Sequence, residues 1–157
     1  MKKVLLIQPG PFGDIFVCAP IAKWYADQGY KVSWPVREKF LSTIQSFDYV
    51  TPIVLSEEVL DKDWLRSDVM KILPMREEYD KVINLADRGP HPTAQQPSEN
   101  FEACKYRLAE VPFEEKNNLS WTRNIQNENT LLSRVERAEP YVVAHLLNSH
   151  GDRAVPP

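Results

Sequence analysis

"KVLLIQPGPFGDIFVCAP", residues 3–20, decides how the rest of the chain is read. Its first six residues, 3–8, form a nearly continuous apolar run, the pattern of a strand covered on both faces in a parallel sheet. Pro9 and Gly10 end that run after four or five apolar residues, too few for the h-region of a signal peptide. Residues 15–28 then show helical spacing and stop at Gly29, and "YKVSWPV" (30–36) reads as a second strand. The opening is therefore a β-loop-α-β unit.

The same alternation continues outward. Phe40, Leu41, Ile44 and Phe47 lie at helical spacing, and 49–55 reads as a strand whose Pro52 asks for an edge position or a bulge. Residues 56–73 read as a helical stretch, whole or broken in two, with Ser56 at its start, and "KVINLA" within 79–87 supplies a fourth strand. "SENFEACKYRLAEV" (98–111) predicts an amphipathic helix that starts at Pro97 or Ser98 and uses Phe101, Cys104 and Leu108 as its apolar seam. Residues 112–129 are polar, irregular and linker-like, a short helix is expected around 129–138, and "PYVVAHLL" reads as a new strand. The fold class is α/β: a Rossmann-like, doubly wound, mostly parallel sheet with its first strand placed centrally.

Composition narrows the function. Hydrophobic residues make up 43% and charged residues 26%, with a net charge of -3, so the concentrated basic face that a nucleic-acid binder needs is missing. Two cysteines, Cys18 and Cys104, do not make a disulfide framework, which points to a reduced, cytoplasmic setting. His91, His145 and His150 carry no HExxH or CxxC spacing, so no metal site is expected.

In open α/β sheets ligands bind beyond the carboxyl ends of the strands. "PGPFGD" (9–14) lies there, yet it lacks the lysine of a P-loop and the glycine spacing of a dinucleotide fingerprint. Asp14 has two readings, a helix N-cap worth about 1 kcal/mol or a reactive carboxylate at the mouth of a cleft. Pro20 is awkward for a purely structural helix, since it removes a backbone donor and crowds the preceding turn.

Gly13, Asp14, Pro20, Gly29 and "KVSWPV", in that order after the first strand, resemble the N-terminal region of glycosyltransferase family nine, the ADP-heptose:lipopolysaccharide heptosyltransferases. "YDKVINLADRG", "NFEACKYRLAEVPFE" and "EPYVVAHLLNSHGDRAVPP" are similar to later segments of the same family. The resemblance implies the N-terminal half of a GT-B glycosyltransferase. Residues 1–138 would be the acceptor-side domain, and 139–157 the start of a missing donor-binding domain or a frayed tail.

The resemblance also implies inverting transfer from an ADP-sugar, with no resident cofactor and Asp14 as the base. Phe12, Gly13 and Arg88 would bind the acceptor. Phe12 can equally be a packing residue, and Arg88 a solvated surface charge. The implied partners are a glycan or lipid-linked sugar acceptor, with proximity to a membrane surface, and the exposed interdomain face invites self-association. The alternative is a free-standing glycan- or nucleotide-binding module without catalysis.

Overall fold

Strand β1 (Lys3–Ile7) buries every residue after Lys3. Val4 and Leu6 enter one core cluster, while Leu5 and Ile7 enter a second. Successive strand side chains point to opposite faces, so a strand can be apolar throughout only where both faces are covered. The computed structural model describes residues 1–55, Val69, 72–86 and 100–134.

After β1 come helix α1 (Phe12–Asp27), β2 (Lys31–Arg37), a 3-10 turn (Glu38–Phe40), helix α2 (Leu41–Gln45) and β3 (Val50–Leu55). A 3-10 segment (Leu73–Glu78), β4 (Lys81–Asn84), helix α3 (Phe101–Leu108), a 3-10 turn (Phe113–Asn117) and helix α4 (Ile125–Leu132) follow. The four strands form one all-parallel sheet in the order β3-β2-β1-β4, with Leu5 opposite both Ser33 and Val82. This is a mixed α/β fold of Rossmann-like order, with β1 in the interior as its composition predicts. The larger core lies between the sheet and α1, α2 and α3, where Trp34, Ile15, Ile44 and Tyr106 pack together.

Prolines and glycines settle where the backbone tolerates them. Pro52 lies on β3, the edge of this sheet among the described strands. Pro35 follows the end of the β1–β2 register at Leu5–Ser33, so β2 there pairs only with β3. Gly29, at φ +82°, ends α1 in a Schellman motif: its N–H donates to Ala26 (2.9 Å) and that of Tyr30 to Tyr25 (3.1 Å). The Tyr25 and Tyr30 rings meet edge-on at 5.5 Å and supply the motif's apolar contact.

Pro20 sits inside α1, and the helix runs on through it. The proline has no N–H for the Phe16 carbonyl and crowds the preceding turn. The nearby Val17 carbonyl accepts a hydrogen bond from the Tyr106 hydroxyl of α3 at 3.2 Å. Burial raises the pKa of that phenol and keeps it a donor. Tyr106→Phe is expected to lower the unfolding free energy by about 1 kcal/mol, read from urea melts; unchanged stability would show that this bond compensates nothing.

Several boundaries differ from the sequence reading. Helix α3 is capped by Asn100, whose side chain accepts from the Ala103 N–H at 2.7 Å, and not by Pro97 or Ser98. Its buried residues are Lys105 and Tyr106, with the C-cap Ala109 buried beyond them, whereas the expected seam residue Phe101 is 41% exposed. The reason is polar: the ammonium of Lys105 finds partners inside, which rotates the helix away from its most apolar line. The expected irregular stretch 112–129 holds a 3-10 turn and the first turn of α4.

The chain divides into two units, Met1–Arg123 and Asn124–Pro157. In the second, α4 is capped by Asn124, which accepts from the Asn127 N–H at 3.0 Å. No described helix is long and apolar enough to cross a membrane. Most of the helical stretch at 56–73 and the strand expected at 140–147 lie outside the described residues.

Candidate functional site

The strand order reverses at β1, with β2 on one side and β4 on the other. In a parallel sheet this opens a crevice beyond the carboxyl ends of the two strands, where α/β folds place their ligands. Five elements of the chain converge there: Gln8 after β1, the Gly10 loop, the first turn of α1, Leu85 after β4, and Lys105 from α3.

Asp14 is the third residue of α1, and the helix begins three residues earlier than a capping Asp14 requires. Pro11, extended at φ -73° and ψ 178°, occupies the N-cap position, and its carbonyl accepts the Ile15 N–H at 3.2 Å. The capping reading of Asp14 is therefore corrected. A proline fixes φ near the value that helix entry needs, so no side-chain cap is required to start the turn. In the first turn, the Asp14 carboxylate still gains from the unpaired N–H groups of the helix start.

Gln8 organises the floor of the crevice. It is fully buried, and every polar atom of its amide is used. Its Nε2 donates to the Gly10 carbonyl at 2.6 Å and to Asp14 Oδ2 at 3.3 Å, while its Oε1 accepts from Lys105 Nζ at 2.9 Å. The Gln8 carbonyl accepts the Trp34 indole N–H at 2.7 Å, which ties the end of β1 to β2.

Lys105 is the least expected member. Its side chain is 5% exposed, and Nζ also donates to the Leu85 carbonyl at 2.7 Å and lies 3.8 Å from Asp14 Oδ2. The Phe101 ring covers the ammonium at 4.4 Å from its centroid. Desolvating an ammonium costs several kcal/mol, offset only where hydrogen bonds and an opposite charge are both supplied. Here Gln8 and Leu85 accept the hydrogen bonds, the Phe101 ring adds a cation–π contact, and Asp14 supplies the opposite charge. Asp14 itself keeps 23% of its side chain exposed, so the network ends in a carboxylate that solvent can reach.

Phe12 and Gly13 share the first turn of α1 with Asp14. Phe12 is 51% exposed, and its ring contacts Phe16 at 5.0 Å and Phe40 at 6.5 Å. It forms the exposed end of an aromatic cluster and leaves one face toward solvent. A Cβ at Gly13 would meet nothing within 4 Å, whereas one at Gly10 would lie 2.5 Å from the Phe40 ring. The glycine the fold requires is therefore Gly10, at φ +146°, while Gly13 faces open space in the same helical turn as Asp14.

Burial pushes the Cys18 thiol up to about 12, with Lys105 opposing the shift and Asp14 adding to it. A thiol this reluctant to ionise is a packing group in α1, not a nucleophile.

Phe12, Gly13 and Asp14 are thus brought together at one strand end, and Arg88 and all three histidines lie outside the described residues. Among the described residues, no group of three His, Cys, Asp or Glu side chains could hold a metal ion. Sequence reasoning missed Gln8 and Lys105. A polar residue at the end of an otherwise buried strand was the available signal, because such a group needs an internal partner. No protein-family model, curated protein or solved structure matches the chain.

Proposed function

We propose that this chain is the acceptor-binding half of an inverting, sugar-nucleotide-dependent glycosyltransferase of GT-B architecture, heptosyltransferase-like and acting in lipopolysaccharide or related glycan synthesis. One observation carries the reading. The Asp14 carboxylate stands partly exposed at the crevice between β1 and β4, with an ammonium and a buried amide holding one of its oxygens.

In this reading Asp14 takes the proton from an acceptor hydroxyl as that oxygen attacks the anomeric carbon of an ADP-sugar. The new glycosidic bond forms on the face opposite the departing phosphate, the anomeric carbon–oxygen bond to ADP breaks, and ADP leaves. The open space at Gly13 admits the acceptor close to the helix start, and the exposed face of Phe12 lines its approach. Arg88 is assigned from the sequence to an anionic group on the acceptor. In this reading a donor-binding domain supplies the ADP-sugar, and turnover requires both domains, because the two reactants must be brought together. A second reading, a glycan- or nucleotide-binding module without turnover, is favoured by the engagement of Asp14 Oδ2 by both Gln8 and Lys105.

Amide NMR of the chain titrated with a deacylated lipopolysaccharide core oligosaccharide tests the proposal. Shifts are expected at Gly13 and Asp14. Gly13→Ala is expected to keep or slightly raise stability, since Ala is the better helix former by about 0.5–1 kcal/mol at interior positions, yet to weaken oligosaccharide binding at least tenfold. ADP-heptose that perturbs these amides while the oligosaccharide does not would establish the nucleotide-binding module instead.

A further inference from the structure

We infer that Lys105 is a positioning residue for Asp14: from inside the fold, together with Gln8, it keeps that carboxylate charged and locked in one rotamer at the mouth of the crevice. The inference deepens the proposed function and rests on it for the consequence in sugar transfer, although the coupling between the two side chains is measurable without turnover.

The argument starts from what the network costs. Gln8 and Lys105 bring an amide and an ammonium into the interior, where apolar residues of similar volume generally fold as well or better. Neither is needed to close the sheet, which pairs through backbone groups, nor to begin α1, which starts at Pro11. A hydrogen bond from Gln8 and the ion pair of Lys105 converge on Asp14, which solvent reaches. Gln8 Nε2 lies 3.3 Å and Lys105 Nζ 3.8 Å from the same oxygen, Asp14 Oδ2. Lys105 is itself fixed by Gln8 Oε1 and the Leu85 carbonyl, so its charge cannot swing away.

Among the described residues, the other titratable group of the cluster is Cys18 on α1, whose burial keeps it neutral. Among the described residues, the carboxylate faces the fixed positive charge of Lys105 from the interior side, an arrangement that resists protonation and holds a side-chain torsion.

The test is an NMR titration of the intact chain, following the Asp14 carboxyl carbon, its Hα–Hβ couplings and the Lys105 Nζ resonance. In the wild type, the Nζ resonance is expected to move with the same midpoint as the Asp14 carboxyl, and the couplings to report a single rotamer. In Lys105→Met the Asp14 midpoint should rise by at least one pH unit and the couplings should average, while Lys105→Arg should restore both. An Nζ resonance indifferent to the ionisation of Asp14 in the wild type overturns the inference whether or not the variants fold. So does a folded Lys105→Met chain with an unchanged Asp14 midpoint. Loss of oligosaccharide binding at Gly13 bears only on the proposed function, so the two failures are distinguishable.

Discussion

Asp14→Asn is expected to lower the unfolding free energy by about 2 kcal/mol, well beyond the cost of losing a helix cap. The change leaves the Lys105 ammonium inside the fold without its carboxylate. Stranding a fully buried charge costs about 3–5 kcal/mol; the partial exposure of Asp14 and the 3.8 Å separation place this case below that range. Urea denaturation of the wild type, Asp14→Asn, Lys105→Met and the double variant measures the coupling directly. The double variant should lose less than the sum of the two single changes, because with both charges gone neither is stranded. Strictly additive losses would mean that the two side chains do not interact. The reading from sequence alone set capping against catalysis, whereas the structure replaces capping with charge pairing, so stability and function are linked at Asp14.

Gly10→Ala should be as damaging, by about 2–3 kcal/mol, for reasons of backbone conformation. Gly10 adopts φ +146°, a region that side-chain-bearing residues rarely enter, and its missing Cβ makes room for the Phe40 ring. The ring can turn aside in part, but the backbone cannot relax without moving the carbonyl that accepts the Gln8 amide at 2.6 Å. Melting curves are expected to show the loss, and the Asp14 amide resonance should shift with it, since Gln8 contacts both. Gly13→Ala is the internal control: it lies three residues away, with ordinary helical backbone and open space. Equal destabilisation by the two substitutions would refute the distinction between them.

Much of the architecture was legible because it depends on local or periodic rules. The unbroken apolar run of β1 announces coverage on two faces, and Gly29 announces the end of α1 through a backbone conformation that favours glycine. Pro52 announces an edge position or a bulge because it has no N–H to give a neighbour, and β3 is an edge among the described strands. Each of these is a constraint that one residue imposes on its own backbone or immediate surroundings.

The site was legible only in part. Asp14, Gly13 and Phe12 lie within three consecutive residues, and a strand-loop-helix pattern is enough to put them at a strand end. Lys105 was not legible: 97 positions separate it from Gln8, and in α3 a lysine beside Cys104 reads as part of the solvent face. Its burial follows from where the Leu85 carbonyl and the Gln8 amide end up, which no local propensity encodes.

The sequence by itself determined the alternation of strands and helices, the interior place of β1 and the carboxylate at the first helix, since hydrophobic period and backbone chemistry are written residue by residue. Only the tertiary structure decided that Pro11 starts that helix and that α3 turns its lysine inward beneath Asp14. A buried charge is stable only where partners distant in sequence meet it, and that meeting exists only once the sheet has closed.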